Sequence, residues 1–138
     1  MPSPEINHCL VCEDIRLERR NLASFMGVYG VLPYVGIKIK NFQAPVQFCL
    51  VFLGGPTQGR LVAVPEFHTS EGKQISVELF PERFEFTFLP QTESSVMAFK
   101  VKGNFPRPDV YRVILTSDRG PLFNSTFRLL PGADTDFA

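Results

Sequence analysis

The stretch Arg83-Phe84-Glu85-Phe86-Thr87-Phe88 alternates strictly between polar and aromatic, whereas Val46-Gln47-Phe48-Cys49-Leu50-Val51-Phe52-Leu53 is apolar almost throughout. Strict alternation marks a strand with one face in a core and the other in water. A short run that is apolar on both faces marks a central strand. The same reasoning predicts strands at Ile75–Leu79, Val96–Val101, Val110–Leu115 and Leu122–Leu129. Asp118 and Gly120 supply turn chemistry between the last two, which predicts a hairpin. The glycine-rich segment from Gly54 to Gly59 reads as a second hairpin loop.

Helical periodicity is nearly absent. Residues 13 to 26 come closest, but they also fit two strands around an Arg19-Arg20-Asn21 turn, and that reading is preferred. About eight short strands at regular spacing predict an all-β fold. The expected architecture is an antiparallel β-sandwich, immunoglobulin-like or C2-like, with little or no helix. One domain is expected to span residues 1–138, with 131–138 a loose tail.

The charged stretch from Cys12 to Gly30 interrupts this pattern. Read as extended chain, it places Cys9, Val11, Ile15 and Leu17 on one face, and Leu10, Cys12, Asp14, Arg16 and Glu18 on the other. The strand thus enters covered on both faces and leaves with one face wet. Asp14, Arg16 and Glu18 form a candidate polar surface cluster, solvated cross-strand charges that discourage edge pairing.

The arrangement "CLVCEDIRLE", a turn, "SFMGVYG", a proline-spaced segment and "VQFCLVFL" resembles a family of small bacterial all-β proteins of unknown function. The closing "YRVILTSDRGPLFNSTFRLL" resembles the end of the same family. The resemblance implies an all-β sandwich in a bacterial cytosol and brings no catalytic residues with it.

Composition narrows the functional classes. Hydrophobic residues make up 44% and charged residues 20%, as in a globular domain. Fourteen basic residues balance fourteen acidic ones, so no global field draws the chain to nucleic acid or anionic lipid. The longest apolar run, Phe48–Leu53, is too short to cross a bilayer, and no membrane association is expected. The start of the chain lacks the pattern of a signal peptide. With that, the odd count of three cysteines argues for reduced thiols and a cytoplasmic location.

Tested for chemistry, the chain offers little. His8, Cys9 and Cys12 form the only metal-like cluster, but residues three apart in a strand face opposite sides. Cys49 and His68 lack a place beside them in the sequence, and small buried cysteines explain the pattern better. No metal and no cofactor are expected. With two histidines in ordinary contexts, no nucleophile, base and orienting group can be picked out, so no catalytic residue is assigned. The glycine-rich loop lacks the lysine of a phosphate cradle. Two lysines between Val35 and Phe42 are thin support for a nucleic-acid reader, and nucleic acid is disfavoured.

What remains by elimination is a non-catalytic binding or accessory module acting through protein–protein contacts, with a protein partner or a second copy. The competing reading is a small-molecule or glycan binder, or a weak enzyme, using a concave sheet face. The candidate contact surface is the proline-spaced segment from Val31 to Pro45, with Leu32, Tyr34, Ile37, Ile39 and Phe42. Prolines limit its use as an interior strand, which leaves its apolar residues either at an exposed edge or folded back to complete the core.

Overall fold

The computed structural model describes residues 3–18, 23–82 and 84–132. Eleven strands follow one another as β1 (Ile6–Leu17), β2 (Ala23–Val31), β3 (Gly36–Ile39), β4 (Val46–Gly54), β5 (Thr57–His68) and β6 (Gln74–Ile75). Then come β7 (Val77–Phe80), β8 (Glu85–Thr92), β9 (Ser95–Gly103), β10 (Asp109–Ser117) and β11 (Gly120–Pro131). No helix forms among the described residues, and none is long and apolar enough to cross a membrane.

One sheet has five strands in the order β2-β1-β4-β9-β7. The other has six, in the order β3-β11-β10-β5-β6, with β8 also paired to β5. Every pairing is antiparallel except that of β3 with β11. The all-β sandwich expected from the alternation is the fold observed. Its strand count is higher because one predicted segment divides and because Gly36–Ile39 and Thr57–His68, not singled out by the pattern, are strands as well.

Ile75–Leu79 is such a case. It is not one strand: Ile75 pairs with Phe67 of β5, whereas Val77 already pairs with Gly103 of β9 in the opposite sheet. The chain therefore changes sheets across Ser76 and closes one side of the sandwich. Gly103 permits the close approach, since a Cβ there would lie 2.6 Å from Val77 Cγ1. The segment from Gly54 to Gly59 is likewise not a hairpin, because β4 and β5 belong to different sheets. It is a crossover, held by the Gly55 N–H donating to Glu5 O at 2.9 Å. A local turn signal reports that the chain reverses but not which sheet it enters. β8 starts at Glu85 because Phe84 takes a left-handed φ of 54°. Phe84, Phe86 and Phe88 still pack on the core from one face, as their alternation predicts. Arg83 lies outside the described residues.

The C-terminal hairpin forms as expected, with Ser117 opposite Gly120. Pro131 and Gly132, expected to belong to the loose tail, are instead tied to β3. Pro131 is still paired with Ile39, and the Gly132 N–H donates to Ile39 O at 3.0 Å. Residues 133–138 lie outside the described residues.

The core is aromatic. Phe48 of β4, Phe67 of β5, Phe127 of β11 and Phe105 of the β9–β10 loop all touch one another, with ring centroids 5.6 to 6.1 Å apart. Tyr111 of β10 joins them, edge-on to Phe105 at 5.1 Å and stacked on Phe127 at 5.9 Å. Its hydroxyl donates to Arg107 O and accepts from the Arg107 N–H, so the buried ring satisfies its polar end on the loop. Arg107 in turn pairs with Glu71 and Asp109, tying the β5–β6 and β9–β10 loops together at that end of the sandwich. Replacing Phe105 with Ala removes a ring wedged among four others and is expected to cost about 3–5 kcal/mol. Tyr111→Phe leaves the packing intact and forfeits about 1 kcal/mol of hydrogen bonding. Urea denaturation of the two variants measures both, and equal losses would show that the hydroxyl, not the ring cluster, holds the loop.

Candidate functional site

The five-stranded sheet departs from the usual sandwich pattern of one buried and one wet face. In β4, Phe48, Leu50 and Phe52 point into the core between the sheets, while Cys49 and Val51 point outwards and are buried as well. They belong to a second apolar cluster with Cys12, joined by the partly buried Leu10, Ile15, Phe25, Leu53 and Ala98.

Strand register extends this outer face. Val28 is opposite Cys12, Val96 is opposite Leu53, and Phe80 is opposite Lys100. Residues directly opposite in a ladder share a face, so these three side chains lie on the outer surface. They are 54%, 48% and 64% exposed. Met26, opposite Asp14, and Val31, opposite Leu10, lie on the same face and are also exposed. An apolar patch thus runs from β2 across β1 and β4 towards β9.

At the end of this face near the start of β4, a groove of about 890 Å³ opens over Gln47, Cys49, Lys100 and Lys102. Glu13 and Asp14 of β1 form one wall, and Glu78, Phe80 and Glu82 the other. A smaller hollow of about 290 Å³ adjoins it between Ile15, Phe80, Pro81, Ala98 and Lys100. Lys100 and Phe80 border both, so an occupant of the groove can reach the apolar patch.

The polar cluster expected on this stretch lies beside the groove. Asp14, Arg16 and Glu18 are all exposed. The Asp14 carboxylate accepts from the Ile15 N–H at 2.8 Å and pairs with Lys100 Nζ at 3.2 Å. These interactions hold its carboxyl below the usual carboxylate range, the backbone hydrogen bond contributing most. Glu18 accepts from Ser24 Oγ across the hairpin at 3.1 Å. The turn residues Arg19, Arg20 and Asn21 lie outside the described residues. Ile15 is not on the Cys9–Val11 face as strict alternation predicts. It packs on the outer cluster instead, opposite Phe25 of β2, which joins the same cluster.

The proline-spaced segment is placed differently from the contact surface expected of it. Leu32 and Ile37 are buried in the main core, and Ile39 and Phe42 pack against it half-buried. Only Tyr34, 87% exposed, remains available of the five. β3 is indeed an edge strand. An edge position frees backbone hydrogen-bonding groups, but the inward face of such a strand still closes the sandwich. Other exposed apolar residues lie on β2, β7 and β9 of the five-stranded sheet, with Leu89 of β8 and Val110 of β10 exposed on the six-stranded sheet. Val28 and Val96 gave no sequence signal, because an outward apolar residue in a strand is legible only once the register is known.

The thiols also divide as the spacing predicts. Cys9 points into the main core, while Cys12 lies on the outer face with Cys49. Burial raises the pKa of all three, that of Cys49 to about 11, so they are protonated at neutral pH. His8 is exposed, and His68, at the end of β5 in the other sheet, has Nε2 3.7 Å from Glu66. Among the described residues, no group of three His, Cys, Asp or Glu side chains is placed to hold a metal ion.

No protein-family model matches this chain, and no curated protein does. Among solved structures 36 chains match it. One is the crystal structure of the periplasmic chaperone SfaE, with 12% identity and a TM-score of 0.44, covering 71% of this chain and 55% of that one. The chain thus spans about half the length of that protein. The cytoplasmic location expected from the cysteines is withdrawn against this finding, since the similar structure is that of a periplasmic protein. The premise fails physically too: an odd count leaves one thiol over in any compartment, and Cys9, fully buried in the main core, can stay free in either.

The electrostatics of the groove wall can be read directly. The Asp14 carboxyl is expected to titrate below an ordinary aspartate in a carbon-detected NMR titration. In Lys100→Gln it should move up without reaching the ordinary value, because the Ile15 N–H remains. Its lowered constant means that its contribution to stability is present above the unfolded value and lost as pH falls through the folded one. A carboxyl unmoved by the substitution would show that the ion pair does not form in solution.

Proposed function

We propose that this chain is a non-catalytic binding module that engages a protein partner, or a second copy of itself, through the outer face of its five-stranded sheet. One observation carries the reading. The sheet is apolar on both faces, and on the outer one Val28, Val96 and Phe80 stand in water around a buried cluster. A sandwich needs one apolar face per sheet for its own stability, so a second one points to a surface that is covered in use. The absence of catalysis belongs to the same proposal. The thiols facing this side are buried and protonated, and neither histidine is among the residues lining the groove. Membership in the family of small bacterial all-β proteins that the opening strands resemble is part of the proposal as well.

A second reading has its own support. The groove brings two lysines, several carboxylates and the Phe80 ring to one concavity, the mixture of polar and aromatic groups that a small molecule or glycan uses. A ligand of that kind would raise the melting temperature of the wild type and not of Lys102→Ala.

The protein-binding reading is tested with Val28→Ser combined with Val96→Ser, and with Val110→Ser on the other sheet as control. Exposed substitutions of this kind shift stability by only about 0.5 kcal/mol. The double variant should therefore melt close to the wild type while losing self-association in sedimentation velocity or partner capture from native lysate. The control should keep both. Capture unaffected by the double substitution, or lost equally in the control, would remove this face from the function.

A further inference from the structure

Cys12 and Cys49 are directly opposite each other in the antiparallel ladder of β1 and β4. Residues so paired have Cα atoms about 4.5–5.5 Å apart, inside the window of about 4.4–6.8 Å that a disulfide spans. Both side chains lie in the same outer cluster, on the face that their shared register position gives them. Each also rests against a backbone carbonyl of β1, Cys12 Sγ at 3.5 Å from Asp14 O and Cys49 Sγ at 3.7 Å from Glu13 O. These neighbouring carbonyls hold the sulfurs side by side. Cys9, three residues before Cys12, faces the opposite side of the sheet and is out of reach of both.

Access is one-sided. Cys49 lines the groove floor and keeps 2% of its surface exposed, whereas Cys12, in the same cluster, has none and does not line the groove. A reagent entering the groove therefore meets Cys49 first, with Cys12 placed behind it to resolve the adduct.

We propose that Cys12 and Cys49 are a convertible dithiol, oxidised by a low-molecular-weight disulfide to a cross-strand bridge that staples β1 to β4 under the groove. The Cys49 thiolate attacks one sulfur of the small disulfide and expels its first thiol, leaving a mixed disulfide on Cys49. The Cys12 thiolate then attacks the Cys49 sulfur and expels the second thiol. Two electrons and two protons pass from the protein to the small disulfide, which leaves as two thiols. Burial keeps both cysteines protonated, so exchange is slow at neutral pH and quickens as pH rises and the thiolate fraction grows. The site goes beyond the binding role proposed above and does not depend on it.

The experiment exposes the folded wild-type chain to excess bis(2-hydroxyethyl) disulfide at pH 8.5, traps remaining thiols in denaturant and maps the linkage by mass spectrometry. The expected product has lost two mass units, carries Cys12 joined to Cys49, and keeps one free thiol, Cys9. In Cys9→Ser the same bridge should form. In Cys12→Ser oxidation should stop at an unresolved adduct on Cys49. The same reaction run in urea should give a mixture of linkages, which shows that the native pairing is selected by the fold. Mapping on the wild type needs no variant to fold. Three free thiols at the end point, an adduct that never resolves, a bridge to Cys9 or bridges only between chains would each overturn the proposal.

Discussion

Four phenylalanine rings in mutual contact set the geometry on which everything else in this protein depends. Phe48 comes from the five-stranded sheet, Phe67 and Phe127 from the six-stranded sheet, and Phe105 from the loop that joins them. Offset and edge-on packing of rings is directional as well as apolar, so the cluster fixes the separation of the sheets and their relative register. It also pulls the β9–β10 loop inwards, which brings Arg107 to Glu71 and closes one end of the sandwich. With the inner face of β4 committed to this cluster, the alternation of the strand sends Cys49 and Val51 outwards.

That second face is where folding and function meet. Cys49 and Val51 are buried only because Leu10, Ile15, Phe25 and Ala98 lie around them, and those neighbours come from strands on both sides of β4. The outer cluster is thin, one layer of side chains with water beyond it. Around it, Val28, Val96 and Phe80 extend the apolar area into solvent, and Lys100 marks the change to the charged groove. The paired thiols sit at that boundary. Their protonated state lets them act as small hydrophobic side chains in the cluster, and their register places them where a covalent bond between β1 and β4 would stiffen the floor of the groove.

The free edges of the two sheets are managed differently. β2 is a long edge strand with exposed apolar residues, interrupted by Gly27 and Gly30 in left-handed conformations. Such irregularities twist an edge and weaken its use as a template for another strand. β3, at the edge of the other sheet, is short and carries exposed Lys38 between inward-facing Ile37 and Ile39. These two edges are thus less inviting than the outer face; the sheets end on their other sides at the short strands β7 and β6.

The sequence by itself determined most of the strands (though not Gly36–Ile39 or Thr57–His68), which of them is central, and which side of each alternating strand is apolar. Those properties depend on neighbours a few residues apart, and Phe84-Glu85-Phe86-Thr87-Phe88 or Val46–Leu53 display them without reference to the rest of the chain. It also placed Cys9 and Cys12 on opposite faces, because a strand has period two. The partners of each strand were decided only by tertiary structure. Leu32 and Ile37 look like surplus apolar residues until β3 is seen to cap the inner face of β11. Phe105 lies outside every alternating segment, yet it is fully buried because the loop carrying it is drawn between four other rings. The change of sheet at Ser76, the crossover after Gly54 and the pairing of Cys12 with Cys49 all join residues far apart in the chain. Contacts of that kind are set by how two sheets pack and at what register, and no local pattern of side chains encodes a register.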